Sequence, residues 1–418
     1  MSGFFEQLSR RGLVQDATPG AAERLNAGPV TAYVGFDPTA SALHVGNLVP
    51  VMCLAWLQRS GGTPVALVGG GTGLVGDPSG KRAERPMLAA EDVAANAEAL
   101  ATQLGRFLSF EGSNAARMVN NADWLARLPL MEFLRETGKH FTVNYMLQKE
   151  SVKSRMETGI SFTEFSYMLV QAYDYWHLFT TAGVELQMGG SDQWGNITAG
   201  VELIARKEQK QAHAVVAPLL VTASGHKFGK SEAGNVWLDP ARTSPYQFYQ
   251  FWLNAEDQDA ERWLRIFTFL PEEQIAVALA EHANDPGRRA AQRTLAWEVT
   301  ALVHGEDEAD RAARTSLAVF GGADIETDYA ELAGTMPNAR LSREELQAEP
   351  ALVDVLVHAG LASSKSEARR GLQGRGFSVN DQQEGDVARR LSVADLRQER
   401  FVLLRKGKKN YVMLVIDG

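Results

Sequence analysis

The chain has 418 residues, 51 acidic and 42 basic side chains for a net charge of −9, 45% hydrophobic residues and 22% charged ones. Such values belong to a globular protein of two to four domains, at roughly 100 to 200 residues per domain, and exclude disorder and collagen-like repeats. A single cysteine, Cys53, excludes a disulfide framework and any site built from several thiolates, which suits a reducing compartment.

The first twelve residues lack the apolar stretch of a signal peptide, and no run elsewhere approaches the ~18 apolar residues of a membrane helix. A cytoplasmic protein with no membrane partner is expected. Short apolar runs at 31–36, 64–70, 117–120, 184–188 and 213–217 predict strands, and helical patterns at 46–58, 161–180 and 192–207 fall between them. This order predicts an α/β fold over 1–243, a Rossmann-like parallel sheet with right-handed crossovers. From 244 to 320 strand signals vanish and helical periodicity dominates, as in 259–267 and 288–303, so a helical domain is expected there. Residues 321–350, with Gly-Gly-Ala-Asp, Met-Pro-Asn and many acids, read as a linker. Residues 351–418 form a small α/β unit of net charge +4, against −13 for everything before it. A basic tail on an acidic body points to nucleic acid, and equally fits a solvated face.

Two glycine-rich motifs mislead. Gly71-Thr-Gly73-Leu-Val-Gly76 fits the dinucleotide fingerprint and follows a predicted strand, but Asp77-Pro78-Ser79-Gly80 comes where the helix should continue. Gly80-Lys81 is no P-loop, since Val75 stands where the first glycine is needed and Arg82 where Ser or Thr is needed. A better phosphate site is His44-Val-Gly46-Asn47, which ends a polar loop after the first strand and opens a helix. Backbone N–H groups and the helix dipole favour anions there, Gly46 admits a bulky ligand, and His44 and Asn47 have hydrogen bonds to donate. As plain structure, His44 is a capping histidine. The second cluster, His226-Lys227-Phe-Gly-Lys230-Ser231, sets two lysines three apart in a Gly-rich loop where they can wrap a polyphosphate, although exposed loop lysines are commonly just solvated.

In this order, roughly 180 residues apart, the two clusters resemble the HIGH and KMSKS signatures of class I aminoacyl-tRNA synthetases. Asn47 replaces the second histidine, and Phe228-Gly229 replace Met-Ser. Blocks between them are similar to the bacterial tyrosyl-tRNA synthetase family: Tyr33-Val-Gly-Phe-Asp37-Pro-Thr, Gly76-Asp77-Pro-Ser-Gly-Lys81, Tyr167-Met-Leu-Val-Gln171-Ala-Tyr-Asp174 and Gly189-Gly190-Ser-Asp192-Gln193-Trp-Gly-Asn196. Residues 351–418, with Ser366-Glu-Ala-Arg369-Arg370 and Gly376-Phe-Ser-Val-Asn380, resemble an RNA-binding fold named after a small-subunit ribosomal protein.

The resemblance implies activation of tyrosine by ATP and transfer of the tyrosyl group to the 3′ end of tRNA(Tyr), by a homodimer. It assigns His44, Asn47, Lys227 and Lys230 as donors to the reacting phosphates, with Lys81 and Arg85 as further phosphate contacts. Tyr33 and Asp174 would flank the phenolic hydroxyl, where phenylalanine would leave both unpaired. Asp77, Tyr167 and Gln171 would hold the ammonium group, although Tyr167 and Gln171, four apart on a helix, also read as core-facing residues. Asp37, Gly46, Gly189, Gly190, Asp192, Gln193, Lys230 and Ser231 would bind ATP, Ser191 or Asp192 serving also as a helix cap. Lys365, Arg369, Arg370 and Arg375 would meet RNA. Mg²⁺ would arrive with ATP; neither a dedicated metal cage nor a tightly bound cofactor is expected. Cys53, inside an apolar helical run, reads as a packing residue. Three rivals stay open: a nucleotidyltransferase that never meets RNA, a non-catalytic RNA-binding relative, and a tryptophan-specific member of the same class.

Overall fold

The computed structural model describes residues 3–79, 89–153, 155–156, 159–225, 228–231, 234–320, 329–407 and 410–417. Two compact units emerge, one of residues 1–243 with 251–303 and one of 244–250 with 304–418.

The first unit is built on six strands, β1 (Asp16–Ala17), β2 (Thr31–Phe36), β3 (Thr63–Val68), β4 (Arg117–Asn120), β5 (Leu186–Gly190) and β6 (His213–Ala217). Their order across the sheet is β1-β6-β5-β2-β3-β4, all parallel except β1, which runs antiparallel to β6. Residues 64–68 of β3 and all of β6 are buried, the mark of parallel strands covered on both faces. Helices Leu48–Arg59, Ala90–Leu104, Phe162–Ala182 and Trp194–Glu208 lie between the strands in the chain. Pro50 is tolerated because it occupies the first turn of its helix, where no intrahelical N–H bond is lost. Ser161 caps Phe162–Ala182 by accepting from the Glu164 N–H, and Gly183, at φ +66°, ends it. That helix meets Trp194–Glu208 closely enough that a Cβ on Gly200 would stand 2.8 Å from the Tyr175 ring. Sequence and structure agree on all five parallel strands within two residues at each end.

Chain direction places the functional region. β2 pairs with β3 on one side and with β5 on the other, and the strand order reverses between β2 and β5. Ligands of open α/β sheets bind in the crevice at the carboxyl ends of strands flanking such a reversal. There the chain leaves β2 into 37–47 and leaves β5 into 191–196. A short hairpin, β7 (Lys230–Ser231) with β8 (Gly234–Asn235), follows.

The helices expected as one domain over 244–320 are divided between the units. Asp257–Phe267 and Glu272–Asn284 belong with the α/β sheet, and Glu306–Phe320 with the second unit. The buried Arg11 guanidinium donates to the Arg265, Thr268 and Leu270 carbonyls and so caps the end of Asp257–Phe267.

The second unit carries a five-stranded sheet of β9 (Asn338–Ser342), β10 (Phe377–Val379), β11 (Gln382–Glu384), β12 (Phe401–Lys406) and β13 (Asn410–Asp417), ordered β11-β10-β12-β13-β9. Leu352 and Leu356 from helix Leu352–His358, and Ala368 and Leu372 from Lys365–Gln373, pack with Val402, Leu404 and Leu414 into its core. The segment read as a linker holds an edge strand: β9 runs parallel to β13, and Leu341 and Leu346 are in the core. Composition hid it because a five-residue strand among acids and turn residues gains its identity from a partner more than seventy residues later. Among the described residues no helix is long and apolar enough to cross a membrane.

Candidate active site

The first signature is shaped by its own hydrogen bonds. Val45–Asn47 forms a single 3₁₀ turn ahead of helix Leu48–Arg59; His44 Nδ1 accepts from the Gly46 N–H at 3.0 Å, and Asn47 Oδ1 accepts from the His44 N–H at 3.0 Å. The capping reading of His44 therefore holds, and it has a chemical consequence. With Nδ1 an acceptor, the neutral ring carries its proton on Nε2, and Asn47, its oxygen engaged, keeps an NH₂ to donate. Gly46 is needed by His44 itself, since a Cβ there would stand 2.7 Å from the imidazole Cε1. The preceding loop is held from helix Ala90–Leu104, where Asn96 donates to the Pro38 carbonyl and Gln103 binds both the Ser41 carbonyl and the Leu43 N–H.

The second signature is tied to the first by main chain. The Val45 N–H donates to the Val236 carbonyl at 2.9 Å and the Leu238 N–H to the Leu43 carbonyl at 2.8 Å. Gly229, at φ +88°, lies so near that a Cβ would approach the Gly46 nitrogen to 3.3 Å. His226 and Lys227 lie outside the described residues, as do Lys81 and Arg85; of Lys230 and Ser231 the backbone alone is described, as strand β7.

Two buried carboxylates, Asp174 and Asp77, are held by residues that follow the carboxyl ends of β4 and β5. Asp174, on helix Phe162–Ala182, is 2% exposed and accepts from Asn121 Nδ2 at 2.8 Å and Trp124 Nε1 at 2.7 Å. Burial outweighs those two donors and lifts its pKa to about 7. Tyr33, on β2, is 1% exposed, and its hydroxyl has no hydrogen-bond partner among the described residues. Burial first, then the Asp174 charge, pushes that phenol well above its ordinary range. Asn121 also accepts from the Gly71 N–H and donates to Thr72 Oγ1, so it ties the loop after β3 to Asp174. The dinucleotide-like glycines are thus one 3₁₀ turn, Thr72–Leu74, pinned from beside β4.

A second polar cluster surrounds Asp77, which is 4% exposed. Its Oδ1 accepts from the Ser79 N–H at 2.9 Å and its Oδ2 from Gln193 Nε2 at 2.6 Å. Asn196 Nδ2 reaches Gln171 Oε1 at 3.1 Å. Gln193, expected on the ATP side, therefore stands against the carboxylate expected to hold the ammonium group. Tyr167 is buried on the same helix as Gln171 and Asp174. Asp37 lies near Gly69, where a Cβ would come within 3.3 Å of Oδ1. Asp192 is exposed, and its Oδ1 would stand 2.7 Å from a Cβ on Gly190; Gly189 faces Ile197 in the same way at 3.0 Å. Gly190 itself, without a side-chain hydrogen bond, precedes the turn Ser191–Gln193, so neither Ser191 nor Asp192 is the cap.

The sequence missed Asn121, Trp124, Ser79 and Asn196. Asn121, next after a predicted strand's carboxyl end, stood in the one position that could have flagged it. Cys53 is buried, and burial raises its thiol to about 12, as a packing residue requires. Among the described residues no group of three His, Cys, Asp or Glu side chains stands ready for a metal ion.

Residues 25–321 match the family described as class I tRNA synthetases (W and Y), and residues 328–414 match the C-terminal domain described as tyrosine–tRNA ligase SYY-like. The chain belongs to the class I tRNA synthetase family. It is 58% identical over the whole of both chains to a tyrosine–tRNA ligase of Anaeromyxobacter dehalogenans, and 51% identical, covering 99% of each, to one of Roseiflexus castenholzii. A C-terminally truncated mitochondrial tyrosyl-tRNA synthetase of Aspergillus nidulans superposes with a TM-score of 0.70 at 33% identity, covering 77% of this chain and 95% of that one. Within this chain, the main-chain bonds above set the turn after β2 beside the stretch that follows Gly229.

Proposed function

We propose that the chain is a tyrosine–tRNA ligase that joins tyrosine to ATP as tyrosyl-adenylate and then esterifies tRNA(Tyr). The observation that carries the choice of amino acid is the buried Tyr33 hydroxyl, unpartnered among the described residues, beside the Asp174 carboxylate. Each Asp174 oxygen has one donor and retains a lone pair, so a phenol entering there satisfies both groups, whereas phenylalanine or tryptophan leaves the Tyr33 hydroxyl unmet.

In the first step a tyrosine carboxylate oxygen attacks the α-phosphorus, the bond to the β-phosphate oxygen breaks, and pyrophosphate leaves. No protein nucleophile is needed; the demand is orientation and compensation of phosphate charge. His44 through Nε2–H, Asn47 through its NH₂, and Lys227 and Lys230 supply that compensation, with Lys81 and Arg85 beside them. Asp37, Gly46, Gly189, Gly190, Asp192 and Ser231 cradle ATP, while Asp77, Tyr167, Gln171 and, by its bond to Asp77, Gln193 fix the ammonium end of tyrosine. Mg²⁺ enters as part of the nucleotide substrate. In the second step the terminal ribose hydroxyl attacks the acyl carbon and AMP departs. Lys365, Arg369, Arg370 and Arg375, exposed on and after helix Lys365–Gln373, meet the RNA backbone.

A homodimer accompanies this reading. Six large apolar side chains between residues 130 and 162, Leu130, Met131, Leu134, Val143, Met156 and Phe162, are exposed, Phe162 by 78%. A second copy of the chain is the partner they call for. A cytoplasmic setting follows from the substrates.

The test is exchange of labelled pyrophosphate into ATP, run with each of the twenty amino acids and no tRNA. Exchange with tyrosine alone is expected; exchange with tryptophan would give the site to the other branch of the family, and none from folded protein would favour a non-catalytic relative.

A further inference from the structure

Four oxygens converge on one amide nitrogen beside the proposed tyrosine site. Asn196, 3% exposed in the first turn of Trp194–Glu208, sets Nδ2 at 3.1 Å from Gln171 Oε1, 3.2 Å from Ser79 Oγ, 3.4 Å from Asp77 Oδ1 and 3.4 Å from Gln193 Oε1. Because a carboxylate only accepts, it is the NH₂ end of Asn196 that faces the cluster. The oxygens come from three separate elements: the turn after β3, helix Phe162–Ala182 and the turn after β5. With the amide removed, the three pure acceptors among them, on Asp77, Gln171 and Gln193, would face one another in a buried setting with only the Ser79 hydroxyl to share.

We infer that Asn196 is a positioning residue for amino-acid recognition: it gathers Asp77, Gln171 and Gln193 into an oxygen-lined cup preformed for the substrate's ammonium group. An ammonium has three donors and no acceptor, which is what an oxygen-rich cup satisfies. Before substrate arrives the Asn196 NH₂ keeps the oxygens together, so tyrosine finds the cup already assembled. The inference rests on the reading that Asp77 and Gln171 hold the ammonium.

The test compares tyrosine with 3-(4-hydroxyphenyl)propionate, which keeps phenol and carboxylate but lacks the ammonium, in equilibrium binding to wild type, Asn196→Ala and Asn196→Ser. Wild type should prefer tyrosine. In Asn196→Ala tyrosine affinity should fall about ten- to a hundredfold, the range for a hydrogen bond to a charged group, with the propionate unchanged. Asn196→Ser, whose hydroxyl restores one donor and which serves if the alanine variant misfolds, should lie between. In pyrophosphate exchange the tyrosine KM should rise with kcat nearly preserved, and the ATP KM should not move. Equal weakening of both ligands would show a merely structural residue and overturn the inference, as would undiminished preference for tyrosine in both variants. A wild type indifferent to the ammonium would instead overturn the assignment of Asp77 and Gln171, and the inference with it.

Discussion

In the proposed reading, Asp174 ties recognition of tyrosine to pH. Its folded pKa of about 7 lies above the 3.8 of an exposed aspartate, so the ligand-free fold holds a proton that the unfolded chain has lost across that window. Its contribution to stability is therefore full below the unfolded value and declines as pH rises towards 7. Tyrosine binding runs the other way, because a phenol donates to the ionised form. Affinity for tyrosine should climb from pH 6 to pH 8 and then level off, with a proton released on binding near pH 6.5; calorimetry in buffers of different ionisation enthalpy measures both, and a flat profile would remove Asp174 from the phenol site. Trp124→Phe deletes one of the two donors that favour the carboxylate. Losing a hydrogen bond to a charged group, at about 1.5 kcal/mol or more, should move that profile upward by about one pH unit. The sequence singles out Tyr33 and Asp174 through their blocks, but not Asn121 and Trp124. What marks these two is a hydrogen bond to a residue fifty positions on, which neither composition nor spacing encodes.

Among the elements, periodicity revealed those whose burial is one- or two-sided along their whole length, and failed where a strand is short and completed from afar, as with β9. The lysine loop lies between these cases. Its Gly-Ser-Lys composition reads as loop, yet Phe228 is 6% exposed and stands 4.9 to 5.9 Å, ring to ring, from Phe251, Trp252, Trp263 and Phe267. The Ala223 N–H adds bonds to both oxygens of Asp259 on the same helix that carries Trp263 and Phe267. Phe228 thus anchors the middle of this stretch in an aromatic cluster, and no periodicity announces it. Phe228→Ala should cost about 3 to 5 kcal/mol in thermal or denaturant unfolding if the cavity does not collapse. Adenylate formation, followed in single turnover, should slow, while the tyrosine Kd stays put because the residues proposed to contact tyrosine lie on other elements. Phe228→Leu, which refills most of the volume, should recover most of both losses; a Phe228→Ala variant with unchanged turnover would mean that the anchor plays no part in adenylate formation.

At the scale of the whole chain, charge and topology together say where it divides chemically. The −13 of residues 1–350 repels a polyanion, and the +4 of residues 351–418 attracts one. Composition placed the boundary near 351, but β9 and the helix Arg343–Gln347 are integral to the last sheet, so a cut there would strip β13 of its parallel partner and bare Leu341 and Leu346. A chain ending at residue 328 keeps the 25–321 stretch that carries both signatures and loses the second sheet entire. It should retain tyrosine-dependent pyrophosphate exchange with an unchanged tyrosine KM and lose charging of tRNA(Tyr), whereas a chain ending at residue 350 should be less soluble than either. In the full-length protein, raising salt from 50 to 200 mM should lift the KM for tRNA steeply and leave the KM for tyrosine almost unmoved, because lysine and arginine contacts to phosphate release counterions and a buried ammonium cup does not. If truncated and full-length chains charge tRNA equally well, the basic face of Lys365, Arg369, Arg370 and Arg375 is solvated surface, and the RNA must be held by the first unit despite its negative charge.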